Sequence, residues 1–443
     1  MTTQPSDRPF PHASPAGRDG DPPGAPEAPL RILIAADTYP PDVNGAAYFT
    51  HRLATGLAQR GHEVHVVCAS DTGRPGTGHD AGVVLHRLRS APLIVHPTMR
   101  TALPLGVSGH VARLIDRLAP HVVHAQSHFT VSRAAIRRGR LSGTPVVLTN
   151  HFMPDNLFAH AHIPQRLHSA AGTLAWRDMI RVAYEADYVT TPTRRASGLL
   201  ADKGFTRTVE AVSCGIDLER FHPRPGERRA ARDRFGLPDR DTMVFVGRLD
   251  EEKRIDDLIR ALPRVHRERD LQLALAGTGQ RQSALRDLAQ RLGVADRVHF
   301  LGFVPDEDLP LVYVAADVFA IGSVAELQSI ATLEAMSTGL PVVAADALAL
   351  PHLVDEGRNG YLYPPGDTAA LADRLLDVLA PGDRRTAMGT ASREIARTHD
   401  HRRSLDRFEE IYAGIRPRPV PRGARRFSVI GLTEVRCRQG VAA

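Results

Sequence analysis

Residues 31–68 read RILIAADTYPPDVNGAAYFTHRLATGLAQRGHEVHVVC, and the fold follows from how this stretch is punctuated. Residues 31–36 form a short apolar run, the pattern of a strand covered on both faces. A turn-rich loop, Asp37 to Gly45, leads into an amphipathic helical pattern over about 46–60 that Gly61 stops. Val64–Cys68 is the next apolar run. Strand, helix, strand is a right-handed crossover between parallel strands. Working outward, strands are expected at Val83–Leu88, Val122–Ala125, Pro145–Thr149 and Tyr188–Thr191, with helices near 107–118, 131–140, 166–185 and 194–202. A second series begins near 242, with strands at Met243–Val246, Gln272–Ala276, Val298–Phe300, Val318–Ala320 and Val342–Ala344. The expected organisation is a disordered leader (1–29), a doubly wound domain (30–212), a connector (213–223), a second doubly wound domain (224–400), a C-terminal helix (401–415) that returns to the first domain, and a basic disordered tail (416–443).

Composition narrows the class. Of 443 residues, 42% are hydrophobic and 24% charged, which excludes wholesale disorder and a membrane-embedded bundle. Cys68, Cys214 and Cys437 lie too far apart for a disulfide framework or a zinc site. No long apolar span and no secretory leader are visible, so the expected location is cytoplasmic, peripheral on the inner face of the cell membrane. Formal charge is +6 over residues 1–212, −6 over 213–415 and +6 over 416–443. Such asymmetry suggests an anionic surface as a partner. Nucleic acid is not expected, because aromatic residues make up only 5% and do not interleave the arginines. Among 56 basic residues only Lys203 and Lys253 are lysines.

The dinucleotide fingerprint is missing, since Gly277-Thr-Gly279 lacks its third glycine, and His160-Ala-His162 reads as surface and not as a metal site. The informative stretch runs from Val324 to Val343. It starts in a loop after a strand and enters a helix that ends at Gly339, so backbone N–H groups near Ser329 and Ile330 offer an anion site. Glu326 precedes that site and Glu334 follows eight residues on, about 12 Å along a helix. Spacing alone would allow a cap and a solvent-facing carboxylate.

Glu326 to Pro341 resembles the E-x7-E motif of retaining glycosyltransferases of family 4, and other segments match that family over about 31–413. Asn44-Gly45 resembles its N-terminal glycine loop, and Gly247-Arg248-Leu249 with Lys253 its diphosphate-binding segment. Cys214 to Phe221 resembles its connector, and Gly302-Phe-Val304 its base-contacting loop. The resemblance implies a GT-B architecture, an α/β fold of two tandem doubly wound (Rossmann-like) domains with a cleft between them. The chain departs from the family where it reads Glu326-Leu-Gln328-Ser329, the family having Phe and Gly at the last two positions.

By the same resemblance, Gly45, Arg248, Lys253, Val304, Glu326, Ser329, Ile330 and Glu334 bind the donor, a UDP-sugar or GDP-mannose. His151, Glu326, Arg248 and Lys253 act in catalysis. His124 and His128 are expected to line the acceptor side. No metal is expected; Asp306-Glu-Asp308 opens a helix and reads as a cap. The local wording is similar to enzymes acting on diacylglycerol or phosphatidylinositol, and Arg133, Arg137, Arg138 and Arg140 on one helix suit an anionic bilayer. A soluble acceptor such as an inositol phosphate, and a non-transferase nucleotide-sugar enzyme or silent binding module of this fold, stay open.

Overall fold

A computed structural model describes residues 28–93, 96–154 and 165–417. The expected leader, the tail beyond 417 and His160-Ala-His162 lie outside the described residues.

The first domain contains β1 (Arg31–Ala35), β2 (Glu63–Ala69), β3 (Gly76–Asp80), β4 (Val83–Leu88), β5 (Ser90–Leu93), β6 (His96–Ala102), β7 (Val122–Ala125), β8 (Val146–Thr149), β9 (Tyr188–Thr191) and β10 (Glu210–Ala211). Eight of these form one sheet in the order β10-β9-β8-β7-β1-β2-β4-β3, parallel except where β3 meets β4. β5 and β6 form a separate antiparallel pair. The sequence gives no hint of β3, because Gly76-Thr-Gly-His-Asp80 is an edge strand with no apolar alternation.

The topological switch falls between β1 and β7, so the loops after both strands open onto the same edge. One leads to the helix Gly45–Gln59, capped by Asn44, whose Oδ1 accepts from Ala47 N at 2.9 Å; its Ala47, Phe49, Leu53, Ala54 and Leu57 are buried. The other leads to the helix Thr130–Ser142, capped from outside by Asp37, whose Oδ1 accepts from Val131 N at 2.8 Å.

The second sheet is all parallel, in the order β13-β12-β11-β14-β15-β16, formed by β11 (Asp241–Val246), β12 (Leu271–Ala276), β13 (Val298–Gly302), β14 (Val318–Ile321), β15 (Val342–Ala345) and β16 (Gly360–Tyr363). Its switch lies between β11 and β14. The chain crosses between domains twice, near 211–216 and again near 398–401, where Ile216 N donates to His399 O at 2.8 Å. The last helix, His401–Gly414, then buries Leu405, Phe408, Ile411 and Tyr412 against the first sheet and the Gly45 helix.

Candidate active site between the two sheet edges

At the switch point of the second sheet, two loops are stapled together. Val324 N donates to Glu252 O at 3.1 Å, and Lys253 Nζ lies 2.6 Å from Glu326 Oε1. Burial works to raise the Glu326 pKa, but Lys253, Ser323 and Arg248 outweigh it and hold the carboxyl below its ordinary range. Arg248 sits beside them, 2.7 Å from Asp250 and 3.2 Å from Glu252. The Gly277-Thr-Gly279 pair has a packing explanation: a Cβ at Gly277 would fall 1.9 Å from Gly247 O, and one at Gly279 would fall 2.5 Å from Leu249 N. Those glycines let one loop lie directly on the Arg248 loop.

The helix Ile330–Ser337 starts at Ser329, which adopts φ 73° and caps Thr332 N through Oγ at 3.4 Å. This left-handed conformation explains why a glycine would suit the position; a serine there carries about 1 kcal/mol or more of strain. Gln328, the other departure from the family wording, bonds the connector: its Oε1 accepts from Cys214 N at 2.7 Å and its Nε2 donates to Ser213 Oγ at 2.8 Å. Glu334 is buried on the helix and accepts from Tyr313 OH at 2.7 Å. Burial raises its pKa, partly opposed by Arg52, Tyr313 and Arg220.

The first domain meets this edge through the start of the Gly45 helix. A Cβ on Gly45 would lie 3.8 Å from Ile330 Cδ1, so the two helix starts face one another. Tyr48 and Arg52 follow on the same helical face and approach Glu334 from across the interface. The Nε and Nη2 of Arg52 are buried with no hydrogen-bond partner among the described residues. The sequence reading missed Tyr48, Arg52 and Asp37; the spacing 45, 48, 52 was the available signal for the first two.

His151, after β8, is half-buried against Phe49 (ring centroids 4.7 Å apart), with Nε2 3.2 Å from Gln126 Oε1. Burial lowers its pKa to about 4, so it is neutral at pH 7. His124 corrects an expectation. It has no exposure, and its ring nitrogens lie 2.7 Å from Tyr412 OH and 2.7 Å from Thr149 Oγ1. Sealed under the C-terminal helix, it cannot line an acceptor surface. His128 is 5% exposed and packs on Phe129, with burial lowering its pKa to about 4. Val304 is half-buried beyond β13 and packs on the second core. Asp306 and Asp308 make no cap: they pair with Arg220 and Arg234 at 2.7 Å and 2.6 Å. Among the described residues no His/Cys/Asp/Glu cluster could hold a metal ion.

The arginine face is less bare than its sequence suggests. Arg133 makes a two-pronged pair with Asp178, Arg138 pairs with Asp116, and Arg137 lies 3.9 Å from Glu185; Arg140 is exposed. Between this helix and Pro104–Leu118 is a cavity of about 330 Å³ lined by Val107, Phe129, Ala134, Arg133 and Arg137. Leu105, next to the cavity residue Pro104, is 96% exposed, and no helix among the described residues is long and apolar enough to cross a membrane.

The family model "Glycosyltransferase Family 4" matches residues 43–220 and "Glycosyl transferases group 1" matches 227–395. The chain is 31% identical over 397 residues to a D-inositol 3-phosphate glycosyltransferase of Saccharomonospora viridis, covering 84% of this chain and 89% of that protein. It is 37% identical over 225 residues to a GDP-mannose-dependent phosphatidylinositol monomannoside mannosyltransferase of Mycolicibacterium smegmatis, a match spanning 49% of this chain and 59% of that protein. The fold also superposes on Anabaena HepE, solved with UDP and glucose, at a TM-score of 0.71 and 20% identity over 87% of this chain and all of that one. Two doubly wound domains joined at facing sheet edges, with both family models matched in tandem, identify this chain as a member of glycosyltransferase family 4, with the GT-B fold.

Proposed function

We propose that the protein transfers a hexosyl group, with retention of configuration, from a nucleoside diphosphate sugar to a hydroxyl of an inositol-phosphate lipid headgroup. The observation that carries the donor half is the convergence of Lys253, Glu326 and Arg248 beside the Ile330 helix start. In this reading the diphosphate lies on that helix start, and Arg248 and Lys253 neutralise it. Glu326 holds sugar hydroxyls and Glu334 holds the ribose. The bond from the anomeric carbon to the β-phosphate oxygen breaks, the acceptor oxygen bonds the same face, and the acceptor proton passes to the departing phosphate. Neutral His151 hydrogen-bonds the sugar without adding charge. No divalent metal is required where two cations already face the leaving group.

The acceptor half is supported by the cavity of about 330 Å³ with an apolar wall and two arginines, a lining suited to an acyl chain below an anionic headgroup. The mycobacterial relative is named for such a lipid and for GDP-mannose, which makes GDP-mannose the first donor to try, ahead of UDP-sugars. A free inositol phosphate is the second reading, favoured by the name of the 31%-identical relative and by the acidic partners of Arg133 and Arg138. Turnover of GDP-mannose and UDP-glucose should be measured with phosphatidylinositol-containing vesicles and with soluble inositol phosphate. Transfer to the vesicles with co-sedimentation that fades as salt rises supports the lipid acceptor and a peripheral membrane location. Transfer to inositol phosphate alone overturns both.

A further inference from the structure

Glu334 is 8% exposed, and its Oε2 accepts from Tyr313 OH at 2.7 Å. Charge on so buried a carboxylate is held by nearby cations and hydrogen-bond donors, and its own helix, Ile330–Ser337, carries no basic residue. The groups that face it come from other elements: Tyr48 and Arg52 of the Gly45 helix, Tyr313 of the helix Leu309–Val314, Arg220 of the connector, and Asp306 beyond β13. The charge of Arg220 is already answered, since its Nη1 lies 2.7 Å from Asp306 Oδ2. Arg52 is not paired in this way. Its Nε and Nη2 are buried with no hydrogen-bond partner among the described residues. Tyr48 and Cys214, also within electrostatic reach of Arg52, offer it no negative charge: burial raises the Tyr48 pKa and pushes the Cys214 thiol up to about 12. Of these groups, Glu334 is the acid left for Arg52 to meet.

The two facing helix starts set the geometry. A Cβ on Gly45 would lie 3.8 Å from Ile330 Cδ1. From those starts, Glu334 lies about 6 Å of helix rise beyond Ile330, and Arg52 about 10 Å beyond Gly45. Helical side chains lean toward the N-terminus, which brings the long Arg52 side chain back toward the facing starts and Glu334. We propose that Arg52 is a positioning residue for donor binding: it supplies, from the first domain, the positive charge that holds the Glu334 carboxylate ready for the ribose hydroxyls. The inference rests on the donor reading above, which places the ribose on Glu334. A planar guanidinium can meet both oxygens of a carboxylate, so the buried Nε and Nη2 suit Glu334 better than a point charge would. Burial raises the Glu334 pKa, and Arg52 leads the groups that oppose it. Without Arg52 the carboxyl would keep its proton to a higher pH, and a protonated carboxyl is the poorer acceptor for a ribose hydroxyl.

The test is calorimetric titration of the full chain with GDP and UDP from about pH 5.5 to about pH 8, for the wild type, Arg52→Met, Arg52→Lys and Glu334→Gln. Dividing the affinity of each variant by that of the wild type cancels the nucleotide's own titration. Glu334→Gln should weaken binding about tenfold near pH 8. Arg52→Met should bind within about threefold of the wild type near pH 8 and about tenfold more weakly near pH 5.5, because the carboxyl protonates at a higher pH once its cation is gone. Arg52→Gln should give the same profile and replaces Arg52→Met if methionine disturbs the fold. Arg52→Lys should restore most of the affinity at low pH. Adding Arg52→Met to Glu334→Gln should weaken binding no further, whereas a purely structural arginine would lower affinity by one factor at every pH, with or without Glu334. A pH-independent Arg52→Met ratio, or Arg52→Lys indistinguishable from Arg52→Met, would overturn the proposal even where Glu334→Gln weakens binding. Wild-type affinity in Glu334→Gln, or no binding of either nucleotide to the wild type, would overturn the donor reading and this inference with it.

Discussion

At the edge of the second sheet, opposite charges meet in the open chemistry of short loops: Lys253 on Glu326, Arg248 on Asp250. At the facing edge of the first sheet the histidines are buried or half-buried and neutral. His124 is locked between Tyr412 and Thr149, His128 is packed on phenylalanine, and His151 is held against Phe49. Even the helix starts differ. The Thr130 helix is closed off by Asp37 from a neighbouring loop, whereas the Ile330 helix is capped by its own Ser329 and meets the exposed Gly45. Under the proposed function, the charged edge receives the donor diphosphate and the neutral edge excludes water around the acceptor hydroxyl.

The largest effect should come from breaking the ion pair at the charged edge. Lys253→Met should lower kcat by two or more decades, roughly 3 kcal/mol of lost transition-state stabilisation, with an unchanged far-ultraviolet circular dichroism spectrum. A small change in kcat would mean that the charged edge does not handle the leaving group. Glu334→Ala should weaken nucleoside diphosphate binding about ten- to a hundredfold, while Glu326→Ala should spare that binding and lower sugar transfer. Equal losses in both assays would show that the two carboxylates do not divide the donor as proposed.

The grouping of these residues was legible because they sit in contiguous stretches that the family resemblance matches whole, whereas spacing alone left Glu326 and Glu334 open to a cap and a solvent-facing carboxylate. Glu326, Ser329 and Glu334 share one loop and helix, and Arg248 and Lys253 share another. The two-domain alternation was legible because most strands are contiguous apolar runs. His124 was not, because its surroundings are set by Tyr412, 288 residues away along the chain, on a helix whose docking site no local pattern reveals. The strand Gly76–Asp80 was invisible for want of apolar residues. The arginine face looked free because Asp116 and Asp178 come from helices on either side in the sequence.

The buried edge is probed by stability more than by turnover. His124→Leu leaves the Tyr412 hydroxyl without its histidine partner and Thr149 with Thr190 alone, and should cost about 1–3 kcal/mol, read as a lower midpoint in thermal unfolding with acceptor KM unchanged. A raised acceptor KM at unchanged stability would return His124 to the acceptor surface. The buried histidines also set an acid limit. His124, His128, His151 and His399 have folded pKa values of about 3, 4, 4 and 4 against an ordinary 6.5. Between pH 6.5 and 4 the unfolded chain binds protons that the folded chain refuses, so stability falls as pH falls through that window. Each histidine contributes on the order of 1 kcal/mol per pH unit there. Flat thermal midpoints from pH 7 to 5 would contradict this. The smallest effect is expected at Ser329→Gly, which relieves the strain at φ 73° but loses the Thr332 cap, a net change within about 1 kcal/mol.

In the proposed function, protein cations and not a metal hold the donor diphosphate at the edge of the second sheet. The most direct measurement is calorimetric titration of GDP and UDP in EDTA, into wild type and Lys253→Met. One nucleotide should bind the wild type undiminished by EDTA, and Lys253→Met should lose at least about tenfold in affinity. Binding that appears only with a divalent ion, or that Lys253→Met leaves intact, would contradict it.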